Sequence, residues 1–255
     1  MSTPTILVTN DDGYDSKGIK ALVEVMSELG NVIVVAPDKP QSGMGHAITL
    51  TEPIMLEQVD DYGDIPAYKC SGTPADCVKL ATDKILKKMP DLCVSGINHG
   101  SNASINVLYS GTMSAAMEGA IVGMQAIGFS NSSYDENDDL TEQKKFAKKI
   151  AQEVLTNGLP NDTLLNVNFP LLKLGDIKGV KVCRQAKAMW KEDFIEREDP
   201  RGGKYFWLTG KFVSRDKGED TDEWALANSY VSVVPVQFDL TAHNAISYLN
   251  TEFNL

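Results

Sequence analysis

The chain has 255 residues, 42% of them hydrophobic, with a formal net charge of −11. That length suits one large α/β domain, or a core with a smaller lobe. The acidity excludes a protein whose main partner is a nucleic acid polymer, because phosphate-backbone binding runs on an excess of Lys and Arg, but it leaves room for a small phosphorylated ligand held through a metal.

"TILVT" (5–9) is a continuous apolar run, the pattern of a strand covered on both faces. It ends on Asn10-Asp11-Asp12-Gly13. Residues 18–29 place Ile19, Leu22, Val23, Met26 and Leu29 at helical spacing, and Gly30 stops them. "NVIVVAP" (31–37) is a second buried strand, so the opening residues form a βαβ unit with a parallel sheet. Residues 47–70 read as short strands and turns. The spacing predicts a helix over 73–88, with Thr73 as N-cap, Pro74 at its first position and Asp76 completing a capping box.

"DLCVSG" (91–96) is a third buried strand, residues 110–124 a helix of small residues, and "AIGFS" (126–130) a fourth strand. An acidic loop (135–139) precedes a helix over 141–157, and strands follow at 163–170 and 179–185. From about 186 the alternation fades. Mixed charge and aromatics there predict a protruding hairpin, then a short helix (221–228), a strand (230–241) and a C-terminal helix. The expected fold is α/β: a three-layer Rossmann-like core with a mostly parallel sheet over about 1–185, and a C-terminal hairpin and helix extension over about 186–255, in one domain.

Cys70, Cys77, Cys93 and Cys183 lack CxxC spacing and read as free buried thiols of a reducing compartment. No charged segment followed by an apolar stretch opens the chain, and no apolar run reaches the ~18 residues of a membrane span. The expectation is a cytoplasmic protein with no membrane partner.

In an open parallel sheet, ligands bind outside the carboxyl ends of the strands. Three loops meet there: Asp11-Asp12, then Ser42, Gly43 and His46 of "QSGMGH", then Asn98, His99 and Asn102 of "SGINHGSN". Two carboxylates, a hydroxyl and an amide form an oxygen-donor set, which selects a hard divalent cation such as Mg²⁺ or Mn²⁺. The alternative for the acid pair is a strand-to-helix turn in which Asp11 or Asp12 caps the helix near Gly18. Ser110, Gly111 and Thr112 open a helix whose N-terminus suits a phosphate, or else Ser110 is an ordinary cap. There is no P-loop, no dinucleotide fingerprint and no nucleophile elbow.

"ILVTNDDGYDSKGI", "VVAPDKPQSGMGHAIT", "SGTPADCV", "VSGINHGSN" and "YSGTMSAAMEG" resemble, in order, the motifs of the SurE family of nucleotidases; "TDEWALANSYVSVVPV" and "DLTAH" resemble its C-terminal pattern. The resemblance implies metal-dependent hydrolysis of nucleoside 5′- and 3′-monophosphates, with trimming of short polyphosphate in some members. It implies one divalent ion per subunit on Asp11, Asp12, Ser42 and Asn98, and a homodimer or homotetramer with exchanged C-terminal elements. Asp11 or Asp12 would accept a proton from water. Asn10, Gly43, His46, Asn102, Ser110, Gly111 and Thr112 would line the phosphate side, with His46 or His99 as proton donor to the leaving group. The chain departs from the pattern at Ser104 and Ser229, where many members carry Gly, and at Val234, where many carry Thr.

Overall fold

The computed structural model describes residues 3–135, 137–171 and 177–253. Of the acidic loop, Glu136 lies outside the described residues. The apolar run at the start forms β1 (Thr5–Thr9), in the interior of a nine-stranded sheet. With β2 (Asn31–Pro37), β3 (Leu56–Val59), β4 (Ala67–Cys70), β5 (Leu92–His99), β6 (Gln125–Asn131), β7 (Thr163–Phe169), β8 (Gly179–Val182) and β11 (Tyr230–Gln237), the order is β3-β4-β2-β1-β5-β6-β7-β11-β8. β1 pairs in parallel with both β2 and β5, and β5 with β6. The antiparallel pairs of this sheet are β3–β4 and β7–β11.

Alternation along β1 divides the core into two layers. Ile6 and Val8 pack with Ile19, Leu22 and Met26 of α1 (Lys17–Met26) and with Ile150 and Val154 of α4 (Thr141–Asn157). Leu7 points the other way, to Cys77 and Val78 of α2 (Pro74–Leu80) and Met113 and Ala116 of α3 (Gly111–Ile121). Helices therefore cover both faces, and the expected three-layer α/β fold is present. Each fully buried Leu or Ile contributes about 1.5–3 kcal/mol.

α2 carries the capping box read from sequence: Thr73 Oγ1 accepts from the Asp76 N–H, and Asp76 accepts from the Thr73 N–H. It ends earlier than the pattern suggests. After Leu80 the chain makes one π-helical turn (Ala81–Ile85), and 86–90 are not helical. The Thr82 hydroxyl donates to the carbonyls of Val78 and Lys79, where the α-ladder would otherwise continue undisturbed.

The hairpin expected after 186 is present as β9 (Ala188–Glu198) and β10 (Lys204–Ser214), a separate two-stranded ribbon. Asp199 closes its turn by accepting from the N–H groups of Arg201 and Gly203. The last 70 residues are not all peripheral. β11 lies inside the main sheet between β7 and β8, whereas α6 (His243–Glu252) has no buried residue. α5 (Asp222–Ala227) lies between the ribbon and β11 in sequence and is capped by Thr221.

Candidate active site

The parallel pairing of β1 with β2 and β5 brings their three following loops to one edge. Gly18 sets the approach of α1 to β5: a Cβ there would stand 2.0 Å from the Ile97 carbonyl oxygen. The Gln41 N–H donates to the Asp11 carbonyl at 2.8 Å, tying the second loop to the end of β1. A cavity of about 220 Å³ results, and Asp11, Ser42, Gly43, Asn98, Asn102 and Ser110 all line it. His99 lines it too, and its backbone N–H and ring Nδ1 each lie 3.3 Å from Asp12 Oδ2.

Asp11 is buried against the N-terminus of α3. The Thr112 hydroxyl donates to its Oδ1. Gly111 is in close approach, since a Cβ there would lie 2.7 Å from Asp11 Cβ. Burial, reinforced by the like charge of Asp12, pushes the Asp11 carboxyl up to about 6, against the hydrogen bonds from Thr112. No Lys or Arg among the described residues forms a salt bridge with Asp11 or Asp12.

Several residues read as phosphate contacts have other partners. Asn10 is fully buried below the loop, and its amide nitrogen donates to the Gly13 carbonyl and the Ser16 hydroxyl. Thr112 is fully buried and turned to Asp11. Ser110 is the N-cap of α3, accepting from the Met113 N–H at 3.0 Å while still lining the cavity. Asn102 donates its amide to the Ser130 hydroxyl and sits on a lattice from Asn166 and Asn168. His46 is not in the lining. Its Nε2 lies 3.0 Å from Glu118 Oε2, and Lys79 Nζ lies 2.6 Å from the other oxygen. Burial raises the Glu118 carboxyl, but the hydrogen bonds from His46 and Lys79 outweigh it and hold the group below the ordinary carboxylate range.

The donor set fits a hard cation. Asn98 uses its amide nitrogen within its own loop, on the Gly100 and His99 carbonyls, so Oδ1 is the atom it could offer to a cation. Asn10 Oδ1 is buried with no hydrogen-bond partner, and Asp11 is a buried carboxyl beside a like charge. This surplus of acceptor oxygen is the chemistry that Mg²⁺ or Mn²⁺ satisfies. Among the described residues, no three His, Cys, Asp or Glu side chains cluster as a metal site, so such an ion needs the neutral oxygens of Ser42 and Asn98.

Sequence reasoning passed over the remaining wall: Ser101, Asn106, Tyr109, Tyr134 and Trp190. Trp190 comes from the ribbon, nearly a hundred residues from the β5 loop. Its Nε1 donates to Asn106 Oδ1 at 2.7 Å, a contact that no local pattern signals.

The fold and the oxygen-lined cavity define an α/β protein with a polar site at the carboxyl edge of its parallel strands. The family model described as survival protein SurE matches residues 6–192. A protein of Flavobacterium psychrophilum named 5′-nucleotidase SurE is 62% identical over 251 residues, 98% of each chain. One of the same name from Cytophaga hutchinsonii is 61% identical over 254 residues, 99% of this chain and 98% of that one. The crystal structure of the SurE protein from Aquifex aeolicus superposes with a TM-score of 0.84 at 44% identity, covering 97% of this chain and 99% of that one. The chain belongs to the SurE family.

Among the described residues no helix is long and apolar enough to cross a membrane. All four cysteines are free and buried.

Proposed function

We propose that the protein is a divalent-cation-dependent phosphomonoesterase. It hydrolyses nucleoside 5′- and 3′-monophosphates to nucleoside and phosphate, with a side activity on short polyphosphate. The observation that carries this reading is the convergence of Asp11, Ser42 and Asn98 on one cavity, with Asp12 beside His99. Asp11, Asp12, Ser42 and Asn98 would hold one Mg²⁺ or Mn²⁺ ion per subunit. When bound, the ion neutralises charge at a phosphate oxygen and acidifies a water near neutral pH.

The side chains divide the remaining work. Asp12 takes the proton of the attacking water. Thr112 fixes the orientation of Asp11. Gly43 and Ser110 line the anion side, where the N-terminal end of α3 favours negative charge. His99, in the cavity wall, protonates the departing alkoxide. His46, held by Glu118, supports the second loop.

The chain acts as one domain: residues up to about 185 carry the proposed ligands, and Trp190 of the ribbon completes the cavity wall. The ribbon exposes Phe194, Phe206, Trp207 and Leu208, each more than half accessible, and α6 buries nothing. Exposed apolar surface of this extent marks an interface, and its occupant is a second copy in a homodimer or homotetramer. Free thiols agree with a cytoplasmic location. The test is phosphate release from a panel of 5′- and 3′-monophosphates. Release abolished by EDTA and restored by Mg²⁺ or Mn²⁺ is expected; release indifferent to chelation contradicts the reading.

A further inference from the structure

A second cavity, of about 450 Å³, adjoins the first and shares Ser101, Asn106, Tyr134 and Trp190 with it. Its size falls within the ~300–1,000 Å³ of small-molecule sites. Beyond the shared wall it is lined by Leu171, Phe212, Glu223 and Leu226. Its lining therefore combines aromatic and aliphatic surface with a carboxyl group.

The aromatic side is held in place. The Trp190 indole is fixed by its hydrogen bond to Asn106 and packs edge-on against Phe212, with ring centroids 5.5 Å apart. Tyr134 is largely exposed but lies against Gly100, where a Cβ would meet its ring at 2.5 Å. A planar heteroaromatic ring gains from stacking on such faces whatever its identity. Glu223 stands on α5, next to the buried Asp222, whose carboxylate accepts from the N–H groups of Ser104 and Ala186. The first bond anchors α5 to the segment after β5 and the second to the segment that leads into the ribbon, so the position of Glu223 is coupled to both walls of the cavity.

We propose that this cavity is the nucleobase subsite, with Tyr134 and Trp190 as stacking faces and Glu223 as the acceptor that reads the base edge. The inference rests on the nucleotidase reading for the identity of its ligand. The two cavities share a wall, so a nucleotide with its phosphate at the strand ends has its base directed along Tyr134 and Trp190. Burial and the neighbouring charge of Asp222 push the Glu223 carboxyl up to about 7, so above that pH it is ionised and only accepts hydrogen bonds. Guanine offers two adjacent donors, its ring N–H and its amino group, and matches both oxygens of Glu223. Adenine offers one donor beside an acceptor, and it matches Gln better than Glu. The subsite therefore favours guanine.

Two measurements test this. In the first, kcat/KM is compared for GMP, AMP and the base-free ester ribose 5-phosphate, in the wild type, Tyr134→Leu and Glu223→Gln. Tyr134→Leu is expected to lower the GMP to ribose 5-phosphate ratio about tenfold, the order of one lost stacking face. Glu223→Gln is expected to lower the GMP to AMP ratio by a similar factor. Ratios that stay constant in both variants overturn the subsite. In the second, guanosine binding is measured by calorimetry on the full chain. It is expected to weaken about tenfold in Tyr134→Leu, and guanosine that binds both proteins equally, or neither, overturns the subsite. If the wild type binds guanosine through Tyr134 but releases no phosphate from any nucleotide, the nucleotidase reading fails while the subsite stands.

Discussion

Thr112 donates its hydroxyl to Asp11 across 101 residues of chain, joining the N-terminus of α3 to the end of β1. The bond fixes one carboxylate oxygen, and in the proposed site the other is the one offered to the cation. Thr112→Val keeps the shape but leaves Asp11 without this donor. Partners that orient a metal ligand are worth about 10–100-fold in metal affinity or activity. Titration calorimetry with Mn²⁺ is expected to show a loss in that range, with circular dichroism unchanged. Equal affinity in both proteins would remove Thr112 from the site's support.

Gly18→Ala tests the close approach of α1 to β5. Alanine in a helix is ordinarily favoured over glycine by about 1 kcal/mol. Here its methyl would stand 2.0 Å from a carbonyl oxygen, so the helix must move. Overpacking of this kind costs about 1–3 kcal/mol. Urea unfolding is expected to show net destabilisation, with weaker metal binding as the Asn98 loop shifts. A more stable variant would mean that α1 yields without strain.

Glu118 lies buried between His46 and Lys79, and its carboxyl is held below the ordinary range despite burial. A depressed carboxylate contributes stability above its unfolded value and loses it as pH falls through the lower folded value. Glu118→Gln removes a buried charged acceptor, at a cost of about 2 kcal/mol at pH 7. The gap between wild type and variant is expected to close on acidification below the ordinary carboxylate range. Thermal melts across pH read it directly, and a gap independent of pH would show that the charge does not contribute.

Ser229 adopts φ +73°, a left-handed conformation that costs a non-glycine residue about 1–2 kcal/mol. Ser229→Gly relieves this, partly offset by the greater freedom of glycine in the unfolded chain. A rise in melting temperature of about 2 °C is expected. Ser104, at φ +54°, is the contrasting case, because its hydroxyl donates to the buried Ala186 carbonyl. Ser104→Gly is expected to gain nothing. If both variants respond alike, the hydrogen bond is not what separates them.

These two serines mark how far the sequence could be read. The departure from glycine at 104 and 229 is visible in the letters, but the left-handed backbone behind it is not. Local signals were strong where one element decides the outcome: the apolar run of β1, the Thr73–Asp76 capping box, and the small residues that let α3 approach Cys93 through Gly119. The loops of the candidate site were legible because parallel strands must open on one edge. What stayed hidden depends on contacts remote in sequence. Thr112 reads as a phosphate contact until Asp11 is found beside it. Trp190 reads as part of a ribbon until that ribbon folds back on Asn106. The early end of α2 coincides with the Thr82 hydroxyl bonding back to Val78 and Lys79, a local contact with no periodic signature.

The central claim is that the carboxylates at the end of β1 hold the cation that hydrolyses nucleotides. The most direct measurement is phosphate release from a 5′-monophosphate by Asp12→Asn beside the wild type, with matched melting curves and saturating Mn²⁺. Loss of nearly all turnover in a variant that melts like the wild type is the expected result. Turnover retained by the folded variant would contradict the claim and move the chemistry away from this edge of the sheet.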